Sequence, residues 1–199
     1  MNGTRVLLFD LGGVIVDFRG GEGLHSLVGD RHSLECCADR WWRLPELDLL
    51  ERGALAPDLF ADAFIREWRL DIDRAAFIGE FRGWVRGVYD GVPALLDALR
   101  PKARLACLSN VNPVHWDRCV ELGVDRLFER RFLSHEMRLR KPEGEIYRAV
   151  ADALGAAPRE IFFFDDVAAN VEAARAADMR AALVENNDVR AALSAVGFA

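Results

Sequence analysis

The sequence predicts an α/β fold: a parallel sheet covered by helices on both faces, with an all-helical module inserted after the first strand. Three observations carry this. Short apolar runs end in polar residues, helical patterns separate those runs, and residues from about Phe18 to Tyr89 read as helices only. Strands that alternate with helices build parallel sheets, because each parallel crossover returns the chain through a helix.

The first run, Val6-Leu7-Leu8-Phe9, ends in Asp10. A continuous apolar run this short fits a strand buried on both faces. Comparable runs span Arg104 to Leu108, ending in Ser109; Arg131 to Leu133; Ile161 to Phe164, ending in Asp165; and Ala181 to Val184. Helices are expected between them over Pro113 to Leu122, Pro142 to Leu154 and Ala168 to Ala177. Proline near the start, with Gly123 or Gly155 just past the end, fits the first two. The inserted module reads as helices over Leu34 to Trp42, Pro45 to Arg52, Asp58 to Trp68 and Arg74 to Gly87, with Asp73 capping the last. Trp41, Trp42, Trp68 and Trp84 read as its core or an interface. Trp41 and Trp42 cannot share one helix face, which turns one of them toward a pocket or a partner.

Composition narrows the function. The chain has 199 residues, 51% hydrophobic and 29% charged, enough for one globular domain with an insertion. Acidic residues outnumber basic ones 32 to 26, for a net charge of −6. That excludes the basic face of a nucleic-acid or membrane-surface binder. No apolar run approaches the ~18 residues of a membrane span. Asp10 interrupts the opening apolar stretch, so no secretory leader is read after Met1 and a cytoplasmic protein is expected. Cys36, Cys37, Cys107 and Cys119 form no C-x-x-C and read as free thiols. His25, His32, His115 and His135 lack zinc-ligand spacing. Only Lys102 and Lys141 among 26 basic residues are lysine. Codon usage accounts for the arginines, whereas a retained lysine marks a place where a guanidinium is no substitute.

Ligands of open α/β sheets bind beyond the carboxyl ends of the strands. There the sequence places Asp10-Leu11-Gly12-Gly13, Ser109-Asn110 and Asp165-Asp166, with Lys141 expected to open a helix between the last two. Asp10 can act as a nucleophile. Three carboxylates share a small space only with raised pKa values or with a cation among them. Hard oxygen ligands with open positions suit Mg²⁺, which would also screen Asp10 from an anionic phosphoryl group. Ser109 offers a hydroxyl, backbone N–H groups cradle phosphate oxygens, and Lys141 adds a compact positive charge. Each piece alone has an ordinary reading as a cap, a turn or a surface lysine. Four of them at four successive strand ends or helix starts read as phosphoryl transfer through an aspartyl-phosphate.

On these residues the sequence resembles the haloacid dehalogenase (HAD) superfamily, subfamily IA. Phe9-Asp10-Leu11-Gly12-Gly13-Val14 resembles its first motif, Leu108-Ser109-Asn110 its second, Arg140-Lys141-Pro142 its third, and Phe164-Asp165-Asp166 with Asn170 its fourth. The paired-Asp fourth motif and the Arg52-Gly53 turn resemble the glucose-1-phosphate-type sugar phosphatase branch. The resemblance covers essentially the whole chain. It implies a three-layer Rossmann-like core, residues 1–17 and 90–199, with strand order 3-2-1-4-5, and a helical cap over 18–89. It implies Asp10 as nucleophile and Mg²⁺ ligand, Asp166 as ligand with Asp165 as ligand or support, and the Gly12 carbonyl as third protein ligand. Leu11, Gly12, Ser109, Asn110 and Lys141 would bind the phosphoryl group, with Lys141 also pairing with Asp10. The implied substrate is a small phosphorylated metabolite such as a sugar phosphate.

One departure stands out. Most HAD phosphatases carry a second Asp two positions after the nucleophile, where this chain has Gly12. A carbonyl for the metal survives that change. The general acid–base group does not, and such a group is typically worth ~10²–10⁴-fold in rate. The sugar-phosphatase branch shares the D-x-G form. Two alternatives stay open: a catalytically weak phosphate-ester-binding or regulatory protein, and a 2-haloacid dehalogenase, which needs no metal and usually has an aromatic residue at the Gly12 position. Receiver domains place their acid pair early, whereas here it comes last. Arg19, Arg43 and Arg52 are the insertion's candidates to meet a second anionic group.

Overall fold

The computed structural model describes residues 5–29 and 33–198, so the opening stretch at Met1 and His32 lie outside the described residues. Five strands form one parallel sheet: β1 (Val6–Phe9), β4 (Arg104–Ser109), β5 (Arg130–Leu133), β6 (Ile161–Asp165) and β7 (Arg180–Leu183). Their order is β5-β4-β1-β6-β7, which places β1 in the middle and matches the expected 3-2-1-4-5 order of the core strands.

Period-two geometry divides each strand between two apolar layers. Leu7, Phe9, Leu105, Cys107, Phe162 and Phe164 face one side, against α6 (Val92–Leu99), α7 (Pro113–Glu121) and α11 (Val189–Ala195). Val6, Leu8, Ala106, Leu108, Ile161 and Phe163 face the other, against α9 (Gly144–Leu154) and α10 (Ala168–Ala176). Burial on both faces is why β1 and β6 read as unbroken apolar runs. The short α8 (Ser134–Met137) follows β5.

After Asp10 the chain makes a tight turn, in which the N–H groups of Ile15 and Val16 both donate to the Leu11 carbonyl at 2.8 Å. It leaves through β2 (Val16–Phe18) and returns through β3 (Val85–Val88), which pair antiparallel. This ribbon corrects the expectation of helices alone over residues 18–89. The helix expected over Arg74 to Gly87 stops at Arg82, because Val85 to Val88 find backbone partners in β2 that the local apolar pattern does not reveal.

Between the ribbon strands lie α1 (Gly20–Val28), α2 (Leu34–Trp42), α3 (Pro45–Glu51), α4 (Pro57–Trp68) and α5 (Arg74–Arg82). Asp73 caps α5 as expected, accepting from the Ala76 N–H at 2.8 Å. Trp41, Phe60, Phe64, Trp68, Phe77, Phe81 and Trp84 form the insertion's buried core. Trp41 therefore faces neither a pocket nor solvent; the side chain of Trp42 lies outside the described residues. Lys102, the other lysine, donates to the Phe198 carbonyl at 3.2 Å. No described helix is long and apolar enough to cross a membrane.

Candidate active site

The carboxyl ends of β1, β4 and β6 open into one cavity of about 460 Å³. Asp10, Leu11, Gly12, Gly13, Ser109, Asn110, Lys141 and Asp166 all line it, facing Phe18, Arg19, Glu22 and Glu51 of the ribbon and insertion. Every site residue expected from the sequence is thus brought together, except that Asp165 lies directly behind the wall.

Lys141 is the hub. Its Nζ lies 2.9 Å from Asp10 Oδ1 and 2.6 Å from Asp165 Oδ2, and its side chain is about 1% exposed. Burial opposes the ammonium's charge, but the two carboxylates outweigh burial and hold its pKa above the ordinary lysine range. Contrary to the expectation that it opens a helix, Lys141 sits in a loop three residues ahead of α9. The Glu143 N–H donates to the Arg140 carbonyl at 2.9 Å and closes that loop as a tight turn. The Asn110 side chain secures it further, donating to the Lys141 carbonyl and accepting from its N–H.

Asp165 is fully buried with both oxygens occupied. Besides Lys141, it accepts from the Val167 N–H at 2.8 Å and from Asn170 Nδ2 at 3.0 and 3.1 Å. Tyr147 in turn donates to the Asn170 carbonyl. Of the two readings for Asp165, this arrangement favours support over direct ligation.

Asp10 and Asp166 have fewer partners. Asp10 Oδ1 is buried and, despite the nearby ammonium, accepts no well-aligned hydrogen bond. Burial raises the Asp10 pKa to about 6; Lys141 opposes the rise and Asp165 adds to it. Asp166 opens to the cavity, but the walls around it and the charges of Asp10 and Asp165 raise its pKa to about 7. Oxygens of Asp10, Asp165 and Asp166 come within 4.8 Å of one another. Three crowded carboxylates, two of them with elevated pKa values, fit a hard divalent cation. Gly13 makes room for this: it has φ +73°, and a Cβ there would lie 2.1 Å from Asp166 Oδ2.

Two residues of the cavity escaped sequence analysis. Glu51, at the end of α3, is 5% exposed and pairs with Arg140 at 2.7 Å. Burial lifts its pKa to about 7 against the pull of Arg140. The signal was present, since Glu51 follows Leu47 and Leu50 on one helix face where an apolar residue belongs. His115 is buried with Nδ1 2.9 Å from Asn112 Nδ2 and Nε2 2.9 Å from the Phe81 carbonyl. Burial lowers its pKa to about 4, so it is neutral, with Nε2 donating and Nδ1 accepting.

The arginines read as anion contacts are already engaged. Arg19 pairs with Asp17 and Glu22, and Arg52 with Asp48 and Glu143. Neither Arg43 nor Arg52 lines the cavity.

Comparison with known proteins agrees with this geometry. Over 114 residues the chain is 33% identical to a protein named a phosphatase from Mycobacterium tuberculosis, a match spanning 54% of this chain and about half (51%) of the relative. A HAD family enzyme from Bacteroides thetaiotaomicron, solved with magnesium and inorganic phosphate, superposes with TM-score 0.79 at 25% identity, covering 92% of this chain and 95% of that one. An L-2-haloacid dehalogenase shares the fold at TM-score 0.69 and 24% identity, covering 92% and 85%. The haloacid dehalogenase-like hydrolase model matches residues 4–178, and the chain belongs to that family of hydrolases.

Proposed function

We propose that this hydrolase is an Mg²⁺-dependent phosphatase acting on a small phosphorylated metabolite through an aspartyl-phosphate. The observation that carries the reading is Lys141 Nζ, held between Asp10 and Asp165, with Asp166 left to the cavity. In this reading Asp10 attacks the phosphorus while Lys141, Ser109 and the N–H groups of Leu11, Gly12 and Asn110 hold the phosphoryl oxygens. Asp10, Asp166 and the Gly12 carbonyl would hold the metal, with Asp165 keeping Lys141 in place. Bound Mg²⁺ would supply charge neutralisation between Asp10 and the phosphoryl group. The magnesium and phosphate bound by the Bacteroides enzyme support this choice.

The helical segment would act as a cap, with 18–89 over a core of 1–17 and 90–199, excluding water while phosphate transfers. The chain's place in subfamily IA, its kinship to the sugar phosphatase branch and its cytoplasmic location belong to the same proposal. Charge sharpens the substrate. The cavity wall formed by the ribbon and the insertion offers Asp17, Glu22 and Glu51 against one arginine, Arg19, that is already paired. A leaving group without a second anion, such as a sugar, fits that wall.

Phosphate release from a panel of monophosphates and bisphosphates, with Mg²⁺ or chelator, tests the reading, with Asp10→Asn as control. The expected result is metal-dependent release from neutral-alcohol monoesters that Asp10→Asn abolishes. Unchanged release by Asp10→Asn overturns the nucleophile. Ester binding without turnover would instead favour the phosphate-ester-binding reading that Gly12 motivates.

A further inference from the structure

Gly12 leaves the reaction without the usual proton carrier, and the cavity contains few groups to replace it. Its carboxylates are Asp10, Asp17, Glu22, Glu51 and Asp166. Asp10 is the nucleophile in the reading above, and Asp166 belongs to the metal cluster. Asp17 and Glu22 both hydrogen-bond the exposed Arg19. His115 has both ring nitrogens engaged. Glu51 remains: buried, on the insertion side of the cavity, and joined by Arg140 to the loop that delivers Lys141.

Resting on the phosphatase reading, we infer that Glu51 is the group that gives the leaving oxygen its proton and later takes one from water. As the P–O ester bond breaks, its electron pair passes to the leaving oxygen, and the Glu51 carboxyl protonates that oxygen to release the alcohol. Water then attacks the aspartyl-phosphate, the Glu51 carboxylate takes its proton, and the P–O bond to Asp10 breaks. Phosphate departs and both carboxyl groups return to their starting states. No further reactant is needed.

The surroundings of Glu51 suit both protonation states. Arg140 stabilises the anion, while burial favours the neutral acid and brings the pKa to about 7. Asp48 on α3 pairs with Arg140, Arg52 just past its end pairs with Asp48 and Glu143, and Lys141 adds a more distant positive charge. On the neighbouring α8, His135 Nδ1 is engaged with the Val111 carbonyl at 2.7 Å. α4 turns Phe60 and Phe64 inward and pairs its Asp58 and Asp62 with Arg74.

The test compares a sugar 6-phosphate, whose alkoxide needs a proton, with p-nitrophenyl phosphate, whose phenolate does not. On the sugar ester Glu51→Gln should lose about 10²-fold or more in kcat/KM, which reports only the steps up to the aspartyl-phosphate; that is the typical worth of general acid–base catalysis. Its loss on the aryl ester should be at least about tenfold smaller, and the surviving aryl rate shows that the variant is folded. Equal losses on both esters would mean that Glu51 merely braces Arg140 and would overturn the inference. If the Gln variant does not fold, the parent's pH profiles decide. kcat/KM on the sugar ester should fall above about pH 7, and a matching fall on the aryl ester overturns the proton role. A parent that hydrolyses neither ester refutes the phosphatase reading itself.

Discussion

The side chain of Asn110 holds the backbone of Lys141 at both ends: Nδ2 donates to its carbonyl and Oδ1 accepts from its N–H, each at 2.9 Å. A strand end thereby fixes a loop residue whose ammonium has to meet two carboxylates. Asn110→Ala leaves both backbone groups without that partner, at about 1–3 kcal/mol for each one that stays buried and unpaired. Displacing a catalytic group by ~1 Å can cost about 10²-fold in rate. Asn110→Ala should therefore lower both the Tm and kcat. Asn110→Asp, which keeps the acceptor and loses the donor, should fall between Asn110→Ala and the parent. An Asn110→Ala enzyme with parental kcat would show that the clamp does not set the position of Lys141.

Metal-free protein should lose stability as pH rises from about 4 to about 7. Folding raises the pKa of Asp10 to about 6 and those of Glu51 and Asp166 to about 7, above the ~4 of unfolded carboxylates. In that window the folded chain keeps protons that the unfolded chain has released, so rising pH favours unfolding. His115, lowered to about 4, works in the opposite sense up to its ordinary 6.5, one group against three. Asp48, Asp62, Glu121 and Glu143, held below the ordinary carboxylate range by arginines, oppose the trend only near the window's lower edge, where the unfolded carboxyls release their protons. In the proposed function Mg²⁺ would bind the ionised carboxylates of Asp10 and Asp166, so its stabilising effect should grow over the same interval. Thermal melts at several pH values, in chelator and in Mg²⁺, check both trends. A chelator Tm that climbs through this interval contradicts the assignment.

Gly13 should be irreplaceable for the metal. A Cβ would meet Asp166 Oδ2 at 2.1 Å, and the residue's φ of +73° strains any L side chain. Gly13→Ala must therefore move either the turn or Asp166. Titration calorimetry should show Mg²⁺ affinity weakened by about tenfold or more, in the range seen when groups supporting metal ligands are lost. Parental affinity would show that the close approach of Gly13 to Asp166 does not shape the metal site.

The strands of the large sheet and most of the site were legible for one reason. β1 and β6 are buried on both faces, which writes them as apolar runs, and the residues that follow them, Asp10 and Asp166, line the cavity. The β2–β3 ribbon was not legible. Val16–Phe18 and Val85–Val88 are three and four residues long, and only pairing across the whole insertion makes them strands. Glu51 was half legible: its place on the face of Leu47 and Leu50 marks it as buried, but nothing on α3 names its partner. Its meaning arises where α3 meets Arg140. Local patterns reveal elements and the ends of strands, while contacts between distant segments have no local signature.

Gly12→Asp joins the site's geometry to its chemistry. A Cβ at Gly12 would lie 3.6 Å from Phe18 Cβ, an ordinary contact, so a side chain is accommodated there. The new carboxyl would occupy the position from which most related phosphatases protonate the leaving group. If Glu51 already serves that role, the gain in an otherwise parental enzyme should be small on alkyl esters and absent on aryl ones. In a Glu51→Gln background it should be large, restoring alkyl-ester kcat/KM by about tenfold or more out of the ~10²-fold lost. The two substitutions should then be strongly non-additive, as expected of groups sharing one task. Parallel kinetics of the parent, both single variants and the double variant measure that coupling. Additive effects would mean that the two positions act on different steps, and that the proton reaches the leaving group by another route.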